Sequence, residues 1–207
     1  MFVVFEGVEG AGKSSQLRLL ENRLWGEGWK VTALQEPGTT ALGQRLRSLL
    51  LNIKQADQPP TPLAEACLFA AARAELVTTV IRPALARGEI VLCDRFAAST
   101  VAYQGAKGAD PLALELLNDV AVQGVRPNLT VLLDLDPKVG LHRRQAEGPL
   151  NAFEEAIAQR LDLVRAGYLR QAAQAPHAWL MVDARQEAEA IHRLIYARVA
   201  EMVGTVV

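Results

Sequence analysis

The sequence predicts an α/β fold, a parallel five-stranded sheet with helices on both faces, and three observations carry that prediction. The segment Gly7-Val8-Glu9-Gly10-Ala11-Gly12-Lys13-Ser14 fills every fixed position of the phosphate-binding pattern G-x-x-x-x-G-K-[ST]. It stands between a short apolar run, Met1 to Phe5 closed by Glu6, and a stretch from Ser15 to Trp25 that carries Leu17, Leu20 and Leu24 at helical spacing. Four further apolar runs follow, at Val31 to Leu34, Ile90 to Cys93, Leu129 to Leu133 and Trp179 to Val182, with helical stretches between them. Strands that alternate with helices make a doubly wound parallel sheet, and ligands of such sheets collect at the carboxyl ends of the strands.

The elements can be justified in order. Met1 to Phe5 is apolar at every position, as a strand buried on both faces must be. The glycine loop after it brings consecutive backbone N–H groups and a positive helix start onto a phosphate chain. Gly7, Val8, Glu9, Gly10, Ala11, Gly12, Lys13 and Ser14 are therefore assigned to a nucleoside triphosphate, with Lys13 on its outer phosphates and Ser14 on a Mg²⁺ ion. After the second strand, Gln35-Glu36-Pro37-Gly38-Thr39-Thr40 is a polar turn leading into a helix from about Ala41 to Asn52. Asp57 to Pro62 is a proline-rich surface connection, and a long alanine-rich helix from about Leu63 to Ala86 ends at Arg87-Gly88. The third strand closes on Asp94-Arg95, where a phosphate-loop protein places the carboxylate that supports Mg²⁺, next to the first strand. The fourth and fifth strands end in Asp134 and Asp183. The remaining helices are expected at about Pro111 to Val122, Lys138 to Ala146, Phe153 to Gln174 and Glu187 to Val203.

The 207 residues suit one domain, with no internal repeat and no separating linker. Half of them are hydrophobic, which excludes disorder, and the formal net charge is −1 with no Lys/Arg cluster, which argues against long nucleic acid as a partner. The apolar start is too short for a signal peptide or membrane span, lacks a basic lead and is interrupted by Glu6, so a soluble cytoplasmic protein without a membrane partner is expected. Cys67 and Cys93 are isolated in apolar surroundings and are expected to pack in the core. No Asn-Lys-x-Asp motif for guanine is present. Glu9, a carboxylate inside an anion cradle, should point across the cleft toward a sugar hydroxyl or a cation.

Phe5-Glu6-Gly7-Val8-Glu9-Gly10-Ala11-Gly12-Lys13-Ser14, Glu36-Pro37-Gly38, Phe69-Ala70-x-x-Arg73, Asp94-Arg95-Phe96 and Ala102-Tyr103-Gln104-Gly105 follow one another in an order and spacing that resembles the bacterial thymidylate kinases. The likeness covers about Phe2 to Asp136, and the rest more weakly. It implies the P-loop nucleoside monophosphate kinase fold, transfer of the γ-phosphate of ATP to dTMP with Mg²⁺, and a homodimer. It also implies that Phe69 stacks on thymine, Arg73 bonds its exocyclic oxygen, Arg95 grips the acceptor phosphate and Asp94 supports Mg²⁺ or orients Arg95. Tyr103 stands on the sugar side, Gln104 and Ser99 at the base edge, and Glu36 in a turn that shapes the acceptor site; Thr100 is set aside as a contact. Phe69 and Arg73, four apart on one helix, share a face, and the guanidinium fork of Arg95 suits a phosphate. Arg47 is a further candidate for the acceptor phosphate.

The chain departs from that pattern at several places. The usual Arg before Glu36 is Gln35, and the usual second Gly is Thr39. A lid at about His142 to Glu154 should bring arginines over the transferring phosphate, yet the expected lid arginine is Ala152, and Glu147 stands where a basic residue is common. Arg143 or Arg144, or else Arg160 or Arg165 from the next helix, must supply that charge, or turnover is slow. Gly148-Pro149 reads as a hinge or turn in this segment. Another nucleotide or nucleoside kinase, and a kinase-derived nucleotide-binding regulator with weak activity, remain alternatives on the sequence.

Overall fold

A computed structural model describes residues 1–52, 60–146 and 148–204. Five strands form one parallel sheet: β1 Phe2–Glu6, β2 Val31–Gln35, β3 Ile90–Asp94, β4 Leu129–Asp134 and β5 Trp179–Asp183, in the spatial order β2-β3-β1-β4-β5. Side chains alternate along a strand. Val3 and Phe5 of β1 accordingly enter the larger core, while Phe2 and Val4 enter a second one with Val77, Ile81 and Phe96. Both faces of the sheet are covered, and every residue of β1 and β3 is buried.

The helices are α1 Lys13–Gly26, α2 Ala41–Leu51, α3 Pro62–Leu76, α4 Arg82–Ala86, α5 Ala97–Ala106, α6 Pro111–Val122, α7 Pro137–Ala146, α8 Ala152–Ile157, α9 Leu161–Gln174 and α10 Ala188–Gly204. Side-chain caps fix several starts: Thr40 accepts from Gly43 N, Thr61 from Ala64 N and Asp110 from Leu112 N. The long helix expected to end at Ala86 is interrupted by a π-helical turn at Val77–Ile81, and the one expected from Phe153 by a 3₁₀ turn at Ala158–Arg160. Residues 57–59 of the proline-rich connection, and Glu147, lie outside the described residues.

One expectation is reversed. Cys93 is buried in β3, but Cys67 is exposed, because the apolar content of α3 is spread around the helix and Cys67 falls on its outward side.

Candidate active site

The phosphate loop is held by backbone contacts that only glycine permits. Gly10 has φ +70°, and a Cβ there would lie 2.1 Å from the carbonyl oxygen of Gly140 on α7. The loop delivers Lys13 to the first residue of α1, where its Nζ donates to the carbonyls of Gly7 and Val8 at 3.1 and 2.8 Å. Burial, reinforced by the nearby Arg95 charge, pushes the Lys13 amine down to about 8. Ser14 donates to Asp94 Oδ2 at 2.6 Å, so the register of β1 against β3 brings hydroxyl and carboxylate together across the loop. One hydroxyl, one carboxylate and nearby phosphates suit Mg²⁺, which keeps most of its water. Among the described residues no cluster of three or more His, Cys, Asp or Glu could form an all-protein cage.

Beside the loop lies a cavity of about 400 Å³, of the size that holds a small ligand. It is lined by Lys13, Ser14, Asp94 and Arg95 together with Phe69, Arg73, Tyr103 and Gln104. Arg95 occupies a left-handed backbone position, φ +70°, that side chains other than glycine rarely adopt, and such strain concentrates at functional sites. Its guanidinium is fixed from several sides: Nη1 donates to Gly7 O at 3.1 Å, Ser99 Oγ at 3.2 Å and Tyr168 OH at 3.1 Å, and Nη2 donates to Glu9 Oε1 at 3.0 Å. Tyr103 OH donates to the same Glu9 oxygen at 2.7 Å. Glu9 Oε2 is buried without a partner among the described residues. The loop carboxylate thus lies beside a cation and a phenol and has one acceptor to spare.

Arg73 is 1 % exposed. Nε donates to Glu36 Oε1 at 2.8 Å, Nη1 to Asn118 Oδ1, and Nη2 to Thr100 Oγ1 at 2.8 Å and Phe96 O at 3.4 Å. A guanidinium has one N–H more than these four bonds use, so Arg73 meets the cavity with little donor capacity free. Burial pushes the Glu36 carboxyl up to about 7 despite the Arg73 ion pair at 2.6 Å, and Glu36 Oε2 has no partner among the described residues.

Asn151, Phe153 and Glu154, in the segment expected to form a lid, line this cavity. Asn151 and Glu154 form a capping box that starts α8, which accounts for the Leu-Asn-Ala-Phe-Glu spelling. Phe153 lies edge-on to Phe69 with centroids 5.9 Å apart, is tilted against Tyr103 at 5.8 Å, and carries Lys107 Nζ over its ring at 4.3 Å.

Several expected residues fall elsewhere. Arg143 is not on the cavity wall; its Nη1 donates to Ala184 O at 3.1 Å, because it lies on the side of α7 facing the loop after β5. Arg165 is paired with Asp134 at 2.6 Å, and Arg160 donates to Ala106 O. Of the four candidate arginines only Arg144 lines the cavity, and there it is paired with Glu154 at 2.7 Å. Ser99 lines the cavity, and its hydroxyl donates to Glu6 Oε2 at 2.7 Å and accepts from Arg95, so it braces the guanidinium. Arg47 lines the cavity and donates to Pro37 O at 3.0 Å.

Other residues were missed from the sequence. Glu6 is fully buried and accepts from Phe96 N, Ser99 N, Ser99 Oγ and Tyr168 OH; burial raises its carboxyl above the usual range. Thr100, set aside earlier, lines the cavity and accepts from Arg73. Glu65 accepts from Gln104 Nε2 at 2.8 Å. It precedes Phe69 by four residues as Phe69 precedes Arg73, so helical spacing alone marks all three as one face.

A phosphate-binding loop opening onto a nucleoside-sized compartment walled by an aromatic ring and a buried arginine defines a P-loop phosphotransferase that acts on a nucleotide. The family model described as thymidylate kinase matches residues 5–195. The chain is 44% identical to the thymidylate kinase of Nitratidesulfovibrio vulgaris over 217 residues, covering 100% of this chain and 95% of that one. It is 44% identical to that of Solidesulfovibrio magneticus (98% and 100% covered) and 48% identical to that of Citrifermentans bemidjiense (88% and 83% covered). The chain belongs to the thymidylate kinase family, whose fold is that of the P-loop nucleoside monophosphate kinases.

Proposed function

We infer that the chain, working as a single kinase domain with a lid near residues 142–154, transfers the γ-phosphoryl group of ATP to the phosphate of dTMP, giving ADP and dTDP. The observation that carries this reading is one continuous cavity with Lys13 and Arg95 on its wall together with Phe69 and Arg73. An oxygen of the acceptor phosphate attacks the γ-phosphorus as the bond to the β,γ-bridging oxygen breaks, and the protein's task is to position charge around that transfer. The loop amides of Gly7 to Ser14 and the Lys13 ammonium hold the donor phosphates. Arg95, braced by Glu6 through Ser99 and Tyr168, holds the acceptor phosphate, with Arg47 beside it. Glu9, through its spare oxygen, and Tyr103 face the sugar, Phe69 stacks on the base, and Arg73, aimed by Glu36, Asn118 and Thr100, donates to its carbonyl. Ser14 and Asp94 would hold Mg²⁺, which neutralises phosphate charge during transfer. Arg144 is the lid arginine for the moving phosphoryl group, once Glu154 releases it.

We further read the enzyme as a cytoplasmic homodimer. Among the described residues no helix is long and apolar enough to cross a membrane, and both substrates are soluble nucleotides. Leu112, Leu116 and Val120 form an exposed stripe at four-residue spacing on α6, and Leu63 is exposed on the adjacent α3. A second copy of the same face is the occupant that satisfies such a stripe through a two-fold axis.

The test is ADP release in a coupled assay with dTMP, dUMP, UMP, CMP, AMP and GMP as acceptors. Turnover of dTMP above the purine nucleotides is expected; equal or better turnover of a purine acceptor overturns the reading. Lys13→Ala should abolish transfer and leave dTMP binding largely intact.

A further inference from the structure

We propose that Glu65, a residue outside the cavity wall, sets which pyrimidine the enzyme accepts by locking the side-chain amide of Gln104 in one orientation. The proposal rests on the reading above, in which a thymine ring lies against Phe69.

Gln104 is 1 % exposed and lines the cavity, and Glu65 is buried behind it. Both oxygens of the Glu65 carboxylate accept from Lys107 Nζ, at 2.8 and 2.9 Å, and Oε2 also accepts from Gln104 at 2.8 Å. A carboxylate held by an ammonium can only accept, so the amide must turn its NH₂ toward Glu65. Its Oε1 then has no donor among the described residues and is the group Gln104 offers to a ligand. Arg73, by contrast, can only donate. Arg73, with one N–H unspent, and Gln104, with its carbonyl oxygen, thus give the cavity wall a donor and an acceptor. Thymine and uracil show the complement, a carbonyl at C4 and an N–H at N3; cytosine shows the reverse, an amino group at C4 and a bare N3. Phe153 covers Lys107 from the lid side, which keeps the ammonium over Glu65.

Replacing Glu65 by Gln should invert the reading. Lys107, a donor only, claims the new carbonyl, and the new NH₂ is left facing Gln104, whose amide flips and presents its own NH₂ to the cavity. For Glu65→Gln, the ratio of kcat/KM for dTMP to that for dCMP should fall by about tenfold to a hundredfold, through KM for dTMP. The exchange Glu65→Gln with Gln104→Glu keeps the charge of the pair and returns an acceptor to the cavity, so the ratio should recover to within about threefold of the parent. A merely structural role for Glu65 would lower both substrates together and leave the ratio alone. A folded Glu65→Gln enzyme that keeps the parent ratio overturns the proposal; if that variant does not fold, a folded exchange variant with the ratio still lost does so. Failure of the parent enzyme to prefer dTMP over dCMP would instead refute the reading of the substrate.

Discussion

Gly140 is where the phosphate loop and the helix that carries Arg144 touch backbone to backbone, and an alanine there gives a sharp test of how the lid is aligned. A Cβ on Gly140 would stand 2.4 Å from Glu9 O, 3.3 Å from Val8 Cγ2 and 3.5 Å from Leu135 Cδ2. Ordinary carbon–oxygen contact begins near about 3.3 Å, so α7 must move off the loop by roughly 0.9 Å. Overpacking of this kind costs about 1–3 kcal/mol, while replacing a glycine within a helix by alanine returns up to about 1 kcal/mol. The two terms oppose each other, and the net loss of Tm should be only a few degrees. Activity has no such offset. Arg144, one turn further along α7, shifts with the helix, and a misplacement of about 1 Å can cost about a hundredfold in rate. We therefore expect Gly140→Ala to lower kcat by tenfold or more, to about a hundredfold, with a small change in Tm. The measurement is kcat by coupled ADP release at saturating ATP and dTMP, with thermal melting alongside. Gly26→Ala is the control, because a Cβ at Gly26 meets nothing within 4 Å. A kcat within about twofold of the parent would refute the alignment argument, since misplacement on this scale costs far more.

Three other outcomes are expected. The Lys13 amine sits at about 8 in the free protein, and a bound polyphosphate favours its charged form, raising that value. ATP binding between about pH 8 and 9 should therefore take up protons, and affinity should weaken as pH rises through this window; calorimetry in two buffers of different ionisation enthalpy reads the uptake, and none would sink the assignment. Phe153→Ala removes the ring that packs on Phe69 and Tyr103, and each such aromatic pair is worth about 0.5–1.5 kcal/mol. With Phe69 and Tyr103 left unsupported, KM for dTMP should rise by about threefold to a hundredfold and Tm should fall by several degrees, because the same pairs stabilise the free protein; an unaltered KM would show that this segment does not help form the acceptor site. Leu116→Arg places a charge in the middle of the exposed α6 stripe and should convert a dimer to monomers in sedimentation; persistence of the dimer would place its interface elsewhere.

Local sequence was enough wherever a structure depends on near neighbours. The strand-loop-helix around Lys13 follows from glycine positions and apolar spacing, and the strand ends at Asp94, Asp134 and Asp183 fall where the apolar runs stop. Cys67 shows where such reasoning stops, because an alanine-rich helix does not announce which side faces inward.

By itself the sequence determined an α/β chain with a phosphate loop and a set of residues spaced as in thymidylate kinases, because backbone conformation and helix faces are encoded within a few residues. Tertiary structure alone decided the strand order and sent Arg143 to Ala184 and Arg144 to the cavity. It also tied Ser99 to Glu6, 93 residues away, and set Glu65 against Gln104. Those outcomes turn on which buried donor finds which acceptor, and that pairing exists only once helices from distant parts of the chain have packed against one another.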